Sequence, residues 1–146
     1  MKTLLNIRKS PHGLLLFTSI ALLFALTLRP IANIDFQGRT MFGLPSESMG
    51  WIIPLFLLLF WLLYLLTKNF LYSITISRAH VLITVISALL FFVAVLYIGI
   101  SPSQYIRDRH ELAGNAMQIL TMIFIFGQLI YVANVLLGLF YKKQIN

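Results

Sequence analysis

The residues of this sequence with the chemistry to hold a cofactor are three histidines, His12, His80 and His110. Neutral imidazole is a common metal ligand, and a pair of histidines can bind haem iron from its two faces. His12 and His80 each stand at the start of an apolar run, whereas His110 lies in another polar connection. His12 and His80 are therefore the candidate haem pair. An isolated histidine is, however, more often a hydrogen-bonding residue than a ligand.

A second group of polar side chains lies within the last apolar run, namely Gln118, Thr121, Gln128 and Asn134. Thr121 and Gln128 are two helical turns apart and share a face, while Asn134 points elsewhere. Such residues either hydrogen-bond to neighbouring helices or contact a ligand such as a quinone, and their types favour interhelical packing. Tyr131 falls in the middle of the same run, where its hydroxyl group needs a partner.

The sequence offers no catalytic constellation. It contains no cysteine, which excludes disulfides and thiolate metal sites, and it has neither a glycine-rich phosphate loop nor an H-E-x-x-H motif. The stretch "SPSQYIRDRHELAGN" (101 to 115) groups several charges with His110. It is either a small ion site or a charged helix start, and the second interpretation is favoured. We expect no catalytic residue and no metal site.

The elements that must position these residues are transmembrane helices. Of the 146 residues, 60% are hydrophobic and 10% are charged, with a mean hydropathy of +0.91. An ordinary soluble domain has about 25% charged residues. Four apolar runs stand out, at residues 13–28, 50–66, 81–100 and 116–140. They predict an all-α integral membrane protein, a single transmembrane domain over 1–146 with helices at about 10–30, 47–67, 79–100 and 114–140. Pro54 is interpreted as lying near the first turn of the second helix.

The distribution of charge predicts the orientation. The N-terminal tail, the connection after the second helix and the C-terminal tail carry lysine and arginine but no acid. In the two other connections, acidic and basic residues balance. The positive-inside rule then places both termini in the cytoplasm of a cell with the chain in its inner membrane. The net charge of +7 thus reflects topology, and we expect no nucleic-acid partner.

Three stretches resemble subunit I of the haem-copper oxidases. The stretch "SRAHVLITVISALLFFVAVLYIGISP" (77 to 102) is similar to its eleventh helix, "QLIYVANVLLGLFYKK" (128 to 143) to its last helix, and "NIDFQGRTMFGLPSESMGW" (33 to 51) to the loop that enters its tenth helix. The resemblance covers roughly residues 30 to 146. It implies the fold of the last four helices of that subunit.

The ligands of that family are missing from the matching positions. Arg39 and Thr40 stand where the family has a His-Asp pair that supports magnesium, and "SESM" (46 to 49) offers none of the haem-binding histidines. Ser103 and Gln104 replace the arginine pair that holds the haem propionates. The polar loop 33 to 51 is then either the relic of a metal-site loop or a plain connector. Both interpretations stay open.

These observations predict a non-catalytic scaffold or accessory subunit, without a cofactor, that packs in the lipid bilayer against itself or a larger membrane complex. The absence of Asp, Glu, Lys, Arg and His from the middle of the apolar runs argues against a proton pump. The alternative is a haem b- or quinone-binding electron-transfer protein that uses His12, His80 and Gln128.

Overall fold

A computed structural model of the chain describes residues 11–28, 40–41, 44–100 and 107–142. Four helices account for most of them: α1 (Gly13–Thr27), α2 (Ser46–Thr67), α3 (Ile74–Ile100) and α4 (Arg107–Lys142). Two short strands, β1 (Thr40–Met41) and β2 (Leu44–Pro45), form an antiparallel pair with Thr40 opposite Pro45. The helical class expected from the sequence is confirmed, and the strand pair is an addition to it.

Two helices begin earlier than hydropathy indicates. α3 starts at Ile74 because Ser73 acts as its N-cap: the Ser73 hydroxyl accepts a hydrogen bond from the Thr75 amide at 3.2 Å. α4 starts at Arg107, so the charged stretch before the last apolar run is helical. In both cases the polar first turns lie outside the apolar run, and hydropathy alone does not detect them.

The helices alternate in direction along the chain. Ser19 in α1 donates a hydrogen bond to the Pro54 carbonyl in α2 at 2.7 Å, and Tyr64 near the end of α2 contacts His80 near the start of α3. α3 then pairs with α4 through His80 and Gln128. The start of α1 and the end of α4 therefore lie at the same end of the bundle. We call it the Tyr64 end.

Three of the helices contain segments long and apolar enough to cross a membrane: Gly50–Thr67, Ile74–Leu96 and Asn115–Tyr141. α1 has 15 residues and is apolar but shorter, at about 22 Å for a rise of 1.5 Å per residue. α4 has 36 residues and a length of about 54 Å, which exceeds the roughly 30 Å hydrocarbon core of a bilayer. The three long apolar helices are typical of a membrane protein.

The side chains that pack between the helices are largely aliphatic and aromatic. The main cluster joins Leu15, Leu22 and Leu26 of α1 with Leu57, Phe60 and Tyr64 of α2, Val81, Val85 and Phe92 of α3 and Tyr131 of α4. The outward faces are equally apolar: Phe24 is 64% exposed and Phe126 is 71% exposed. A bundle with apolar surfaces both inside and outside is suited to a lipid environment.

Pro54 lies in the interior of α2 and not near its first turn, since it is the ninth residue of a helix that begins at Ser46. Its missing amide cannot bond to the Gly50 carbonyl one turn earlier. Close by, the buried Ser19 hydroxyl binds the Pro54 carbonyl, and a Cβ added at Gly50 would lie 3.1 Å from Leu26. Proline, serine and glycine together set the close approach of α1 to α2.

The polar loop 33 to 51 is described only in part, through β1, β2 and the first residues of α2. The positions 39 and 103 to 104, at which family ligands are replaced, lie outside the described residues. The two interpretations of the loop, relic and connector, therefore stay predictions.

Gly138 fixes where the connection between α2 and α3 crosses α4. A Cβ added at this glycine would collide with the backbone carbonyl of Phe70, whereas one added at Gly127 would meet only the Ile83 and Thr84 side chains, the nearest at 3.3 Å. Backbone cannot yield as a side chain can. The absence of a side chain at Gly138 is thus a requirement of the fold.

We expect Gly138→Ala to lower the free energy of unfolding by about 2 kcal/mol or more, because the connection must move away from α4. The same substitution at Gly127 is the matched control. It should change stability by less than about 1 kcal/mol, since helix propensity improves and only side chains must adjust. Unfolding in detergent, followed by circular dichroism, measures both. Equal losses would contradict a specific role for Gly138.

Candidate functional site

The polar residues that the structure brings together lie near the Tyr64 end, where α2, α3 and α4 meet. The group consists of Tyr64 from α2, His80 and Thr84 from α3, and Gln128 and Tyr131 from α4, and we call it the His80 cluster. His80 lies well inside α3, because the helix begins at Ile74 and not at 79. Its exposed fraction is 0%. An ionisable side chain in such a place is by default a candidate functional residue.

Both ring nitrogens of His80 have hydrogen-bond partners. Nδ1 lies 2.9 Å from the Tyr64 hydroxyl, and Nε2 lies 2.9 Å from Gln128 Oε1 and 3.1 Å from Thr84 Oγ1. The histidine therefore connects α2 to α4 across its own helix. Neither nitrogen is left over for a metal ion in this arrangement.

The orientation of the Gln128 amide assigns the tautomer of His80. Gln128 Nε2 donates to the Phe124 carbonyl at 2.9 Å and to Thr84 Oγ1 at 3.2 Å, so Oε1 faces His80 and can only accept. Nε2 of His80 therefore carries the proton, and Nδ1 accepts from the Tyr64 hydroxyl. The Ser77 carbonyl, at 3.4 Å, is a second and longer acceptor for that hydroxyl.

The Tyr131 hydroxyl has the partner that its mid-span position requires. It lies 2.8 Å from Thr67 Oγ1, and since Thr67 itself donates to the Leu63 carbonyl, Tyr131 is the donor. Its ring packs edge-on against Tyr64 and Phe60, with centroids 4.8 and 5.7 Å apart. The expectation of a hydrogen-bond partner for Tyr131 is confirmed, and the contact joins α4 to α2.

His12 does not contact His80 directly. Its ring stacks on Tyr64 with centroids 6.0 Å apart, and Tyr64 in turn bonds to His80, so the tyrosine connects the two histidines. A haem held by both histidines would have to displace Tyr64 and the bonds of His80. His110 belongs to the first turn of α4, at the opposite end of the bundle.

Asn134 fastens the connection between α2 and α3 to α4. Its side chain accepts from the Ser73 amide at 2.9 Å and donates to the Ser73 carbonyl at 3.1 Å and to the Ser77 hydroxyl at 2.8 Å. Its own carbonyl accepts from the Tyr72 amide at 3.1 Å. Because Asn134 is fully buried, its carboxamide depends on these protein partners.

The two other polar residues of the last apolar run do not bridge helices. Gln118 is exposed, and Thr121 donates to the Met117 carbonyl of its own helix at 2.8 Å. Of the residues expected to hold helices together, Gln128 and Asn134 make interhelical bonds in the described part of the chain. Gln118 and Thr121 make none that the structure shows.

A cavity of about 370 Å³ lies beside the His80 cluster, between α2, α3 and α4. Each helix contributes one phenylalanine to its wall: Phe56, Phe91 and Phe124. Gln128 and Thr121 border the cavity, but the accessible wall is apolar because their polar atoms turn toward protein partners. The cavity can hold hydrocarbon or an aromatic ring, and it offers no polar anchor.

The sequence contains a pattern that indicates the cluster before the structure is known. Ser77, His80, Thr84 and Ser87 recur every three or four residues along α3 and are all buried. This spacing places the polar groups in one stripe along the helix, just as an apolar stripe marks the buried face of a helix in a soluble protein. The stripe shows that α3 buries a polar face, although it does not identify Tyr64 as the partner.

Among the residues that the structure describes, no three His, Cys, Asp or Glu side chains gather in a way suited to a metal ion. Comparison of the chain with family models, with curated proteins and with solved structures finds no match. The resemblance to the haem-copper oxidases stays a prediction that nothing in these comparisons bears on.

Removing the polar side chains of α4 one at a time should give a graded loss of stability. Asn134→Leu removes the side-chain acceptor of the Ser73 amide and the donor to the Ser77 hydroxyl, although Ser77 still donates to the Ser73 carbonyl, and it should cost about 2 to 3 kcal/mol. Gln128→Leu should cost about 1 kcal/mol, since Thr84 Oγ1 still accepts from His80. Gln118→Leu is the matched control and should change stability by less than about 0.5 kcal/mol. Thermal unfolding in mild detergent gives the order, and a loss for Gln118→Leu as large as that for Asn134→Leu would refute it.

Proposed function

We propose that the chain is an integral protein of the inner membrane that crosses the bilayer four times, with both termini in the cytoplasm. Three helices have the necessary length, and α1 packs along α2 over the same depth, from Leu26 beside Gly50 to His12 beside Tyr64. Residues flanking α1 would have to complete its span.

The orientation follows from charges at the two ends of the bundle. Lys68 and Arg78 lie at the Tyr64 end, which is also where α1 begins and α4 stops. The basic terminal tails continue from there. A single end that collects the excess of lysine and arginine is the one expected to face the cytoplasm.

The role that the geometry supports best is that of a non-catalytic scaffold or accessory subunit. One observation carries it: within the described residues, the hydrogen-bonding groups of His80, Gln128 and Asn134 are bound to protein partners, most of them on other helices or the connection between α2 and α3. Their hydrogen-bonding capacity is used to hold α2, α3 and α4 together. A side chain whose donors and acceptors are occupied by neighbouring helices contributes to packing and specificity of assembly.

The outward faces give such a subunit its means of association. Large apolar side chains are exposed on every helix, among them Phe17 on α1, Leu66 on α2, Val93 on α3 and Phe126 on α4. Lipid can cover all of them, and a second copy or a larger membrane complex can replace lipid where shapes match. In this proposal the likeness to the oxidase subunit extends to its helical scaffold and not to its redox chemistry.

The topology can be tested by cysteine labelling, because the natural chain has no cysteine to give a background. In intact cells a membrane-impermeant maleimide should modify Ser103→Cys between α3 and α4. Thr3→Cys, Asn69→Cys and Gln144→Cys should react only after the membrane is permeabilised. Modification of Thr3→Cys or Gln144→Cys in intact cells would contradict the proposal.

A second candidate function is binding of haem b or a quinone for electron transfer. The observation in its favour is the apolar cavity beside Gln128. Gln128 is itself hydrogen-bonded to His80. A planar ring could enter between the three phenylalanines. It would then need His80 or Gln128 to exchange a protein partner for the ligand.

Absorption spectroscopy separates the two candidates. Protein expressed with excess haem and purified in mild detergent should show no Soret band if the scaffold proposal is right. A Soret band that is present in the His110→Ala variant and absent from the His12→Ala and His80→Ala variants would establish the haem alternative. Organic extraction of the same preparation reports any quinone.

A further inference from the structure

We propose that the cavity between α2, α3 and α4 binds one hydrocarbon chain of a bilayer phospholipid. This inference rests on the proposed insertion in the membrane and adds a specific lipid site to it. The argument uses the position of the cavity, its wall and its size.

The cavity lies in one half of the membrane-crossing segments. Its residues Ile52 to Phe56 on α2 and Leu120 to Ile125 on α4 fall on the side away from the Tyr64 end, and Gln128 lies where the cavity meets the His80 cluster. Those on α3 (Ser87 to Phe91) follow the middle of Ile74–Leu96 and fall on the same side. The cavity therefore occupies the depth of a single leaflet, the one opposite the cytoplasm in the proposed topology.

The opening exists because α2 and α4 approach each other mainly at the other end. There, Tyr131 of α4 bonds to Thr67 and packs on Tyr64. At the depth of the cavity, α2 and α4 contact each other through the rings of Phe56 and Phe124, whose centroids are 6.4 Å apart. α3 closes the back of the space through Ala88 and Phe91. The result is a slot that faces the lipid.

The wall selects hydrocarbon over a polar ligand. Ser87 and Thr121 donate to backbone carbonyls of their own helices, and Gln128 is bonded to His80, Thr84 and Phe124. A quinone carbonyl or a hydroxyl group in the slot would lose its hydration without gaining a donor, which costs free energy. An acyl chain has no hydrogen-bonding group to leave without a partner, and it covers the phenylalanine rings.

The size agrees with one chain. From Leu120 to Gln128 the slot extends about 12 Å along α4 at 1.5 Å per residue, which is most of a leaflet's share of the roughly 30 Å hydrocarbon core. Its volume of about 370 Å³ lies in the lower part of the range for sites that bury a small ligand. A second transmembrane helix, about 10 Å or more in diameter, would be too wide for it.

The experiment uses the full chain in nanodiscs of phosphatidylcholine that carries a photoactivatable diazirine in the middle of one acyl chain. After irradiation, peptide mapping should find label on slot residues such as Leu120 and Phe124, in addition to the exposed residues Ile119, Met122 and Phe126. Thr121→Phe fills the slot and should reduce slot labelling by about fivefold or more while exterior labelling stays. Met122→Phe adds the same ring on a face that is 67% exposed and should leave slot labelling unchanged.

The other outcomes would refute either the proposed membrane insertion or the lipid site alone. No label on any helix would mean that the protein is not inserted, and the proposed function would fail with it. Exterior label with no label in the slot, or slot label that Thr121→Phe does not reduce, would refute only the lipid site. A co-purified isoprenoid quinone that Thr121→Phe removes would assign the slot to that ligand instead. If Thr121→Phe unfolds, as judged by circular dichroism, Leu120→Trp with Ile119→Trp as control makes the same comparison.

Discussion

The hydrogen bonds of His80 are the interaction on which the rest of the bundle depends. In lipid no water replaces a missing partner, so a buried imidazole is tolerated only where protein groups meet both of its nitrogens. Tyr64 meets one, and Gln128 with Thr84 meets the other. Because these partners come from three different helices, satisfying one side chain fixes the relative rotation of all three. The aliphatic residues around them fill space but would accept many rotations.

Asn134 applies the same principle to a connection. A turn that lies against a helix in an apolar setting leaves backbone amides and carbonyls without water. The Asn134 carboxamide bonds to the backbone of Ser73, and the Asn134 backbone carbonyl accepts from the Tyr72 amide. One turn further along α4, Gly138 leaves room for the Phe70 carbonyl. The connection between α2 and α3 is therefore held by α4, a helix that is distant from it in sequence. Gln128 and Asn134 thus take part in holding α4 to α3 and to the connection before it.

Hydropathy and residue type predict the helical class, the long apolar helices and the need of Tyr131 for a partner. Hydropathy does not predict where α3 begins, because a serine N-cap is invisible to a hydropathy average. Residue type does favour a charged helix start within 101–115, and α4 begins there, at Arg107. Pro54 shows a related difficulty: it is the ninth residue of α2, so the preference of proline for a first turn does not identify its place. The pairing of Tyr64 with His80 depends on how two helices rotate against each other. No pattern within a single helix contains that information.

The two anchor points between α3 and α4 also fix how far one helix can slide along the other. Gln128 and Asn134 bind α3 about 9 Å apart along α4, so a shift of one turn would break both sets of bonds together. Such a helix pair has one register. α1 and α2, joined through Ser19 and Pro54, make a second antiparallel pair. The rings of Tyr64 and Tyr131 pack against each other where the two pairs meet, so the register of one pair also limits how the other can lie against it.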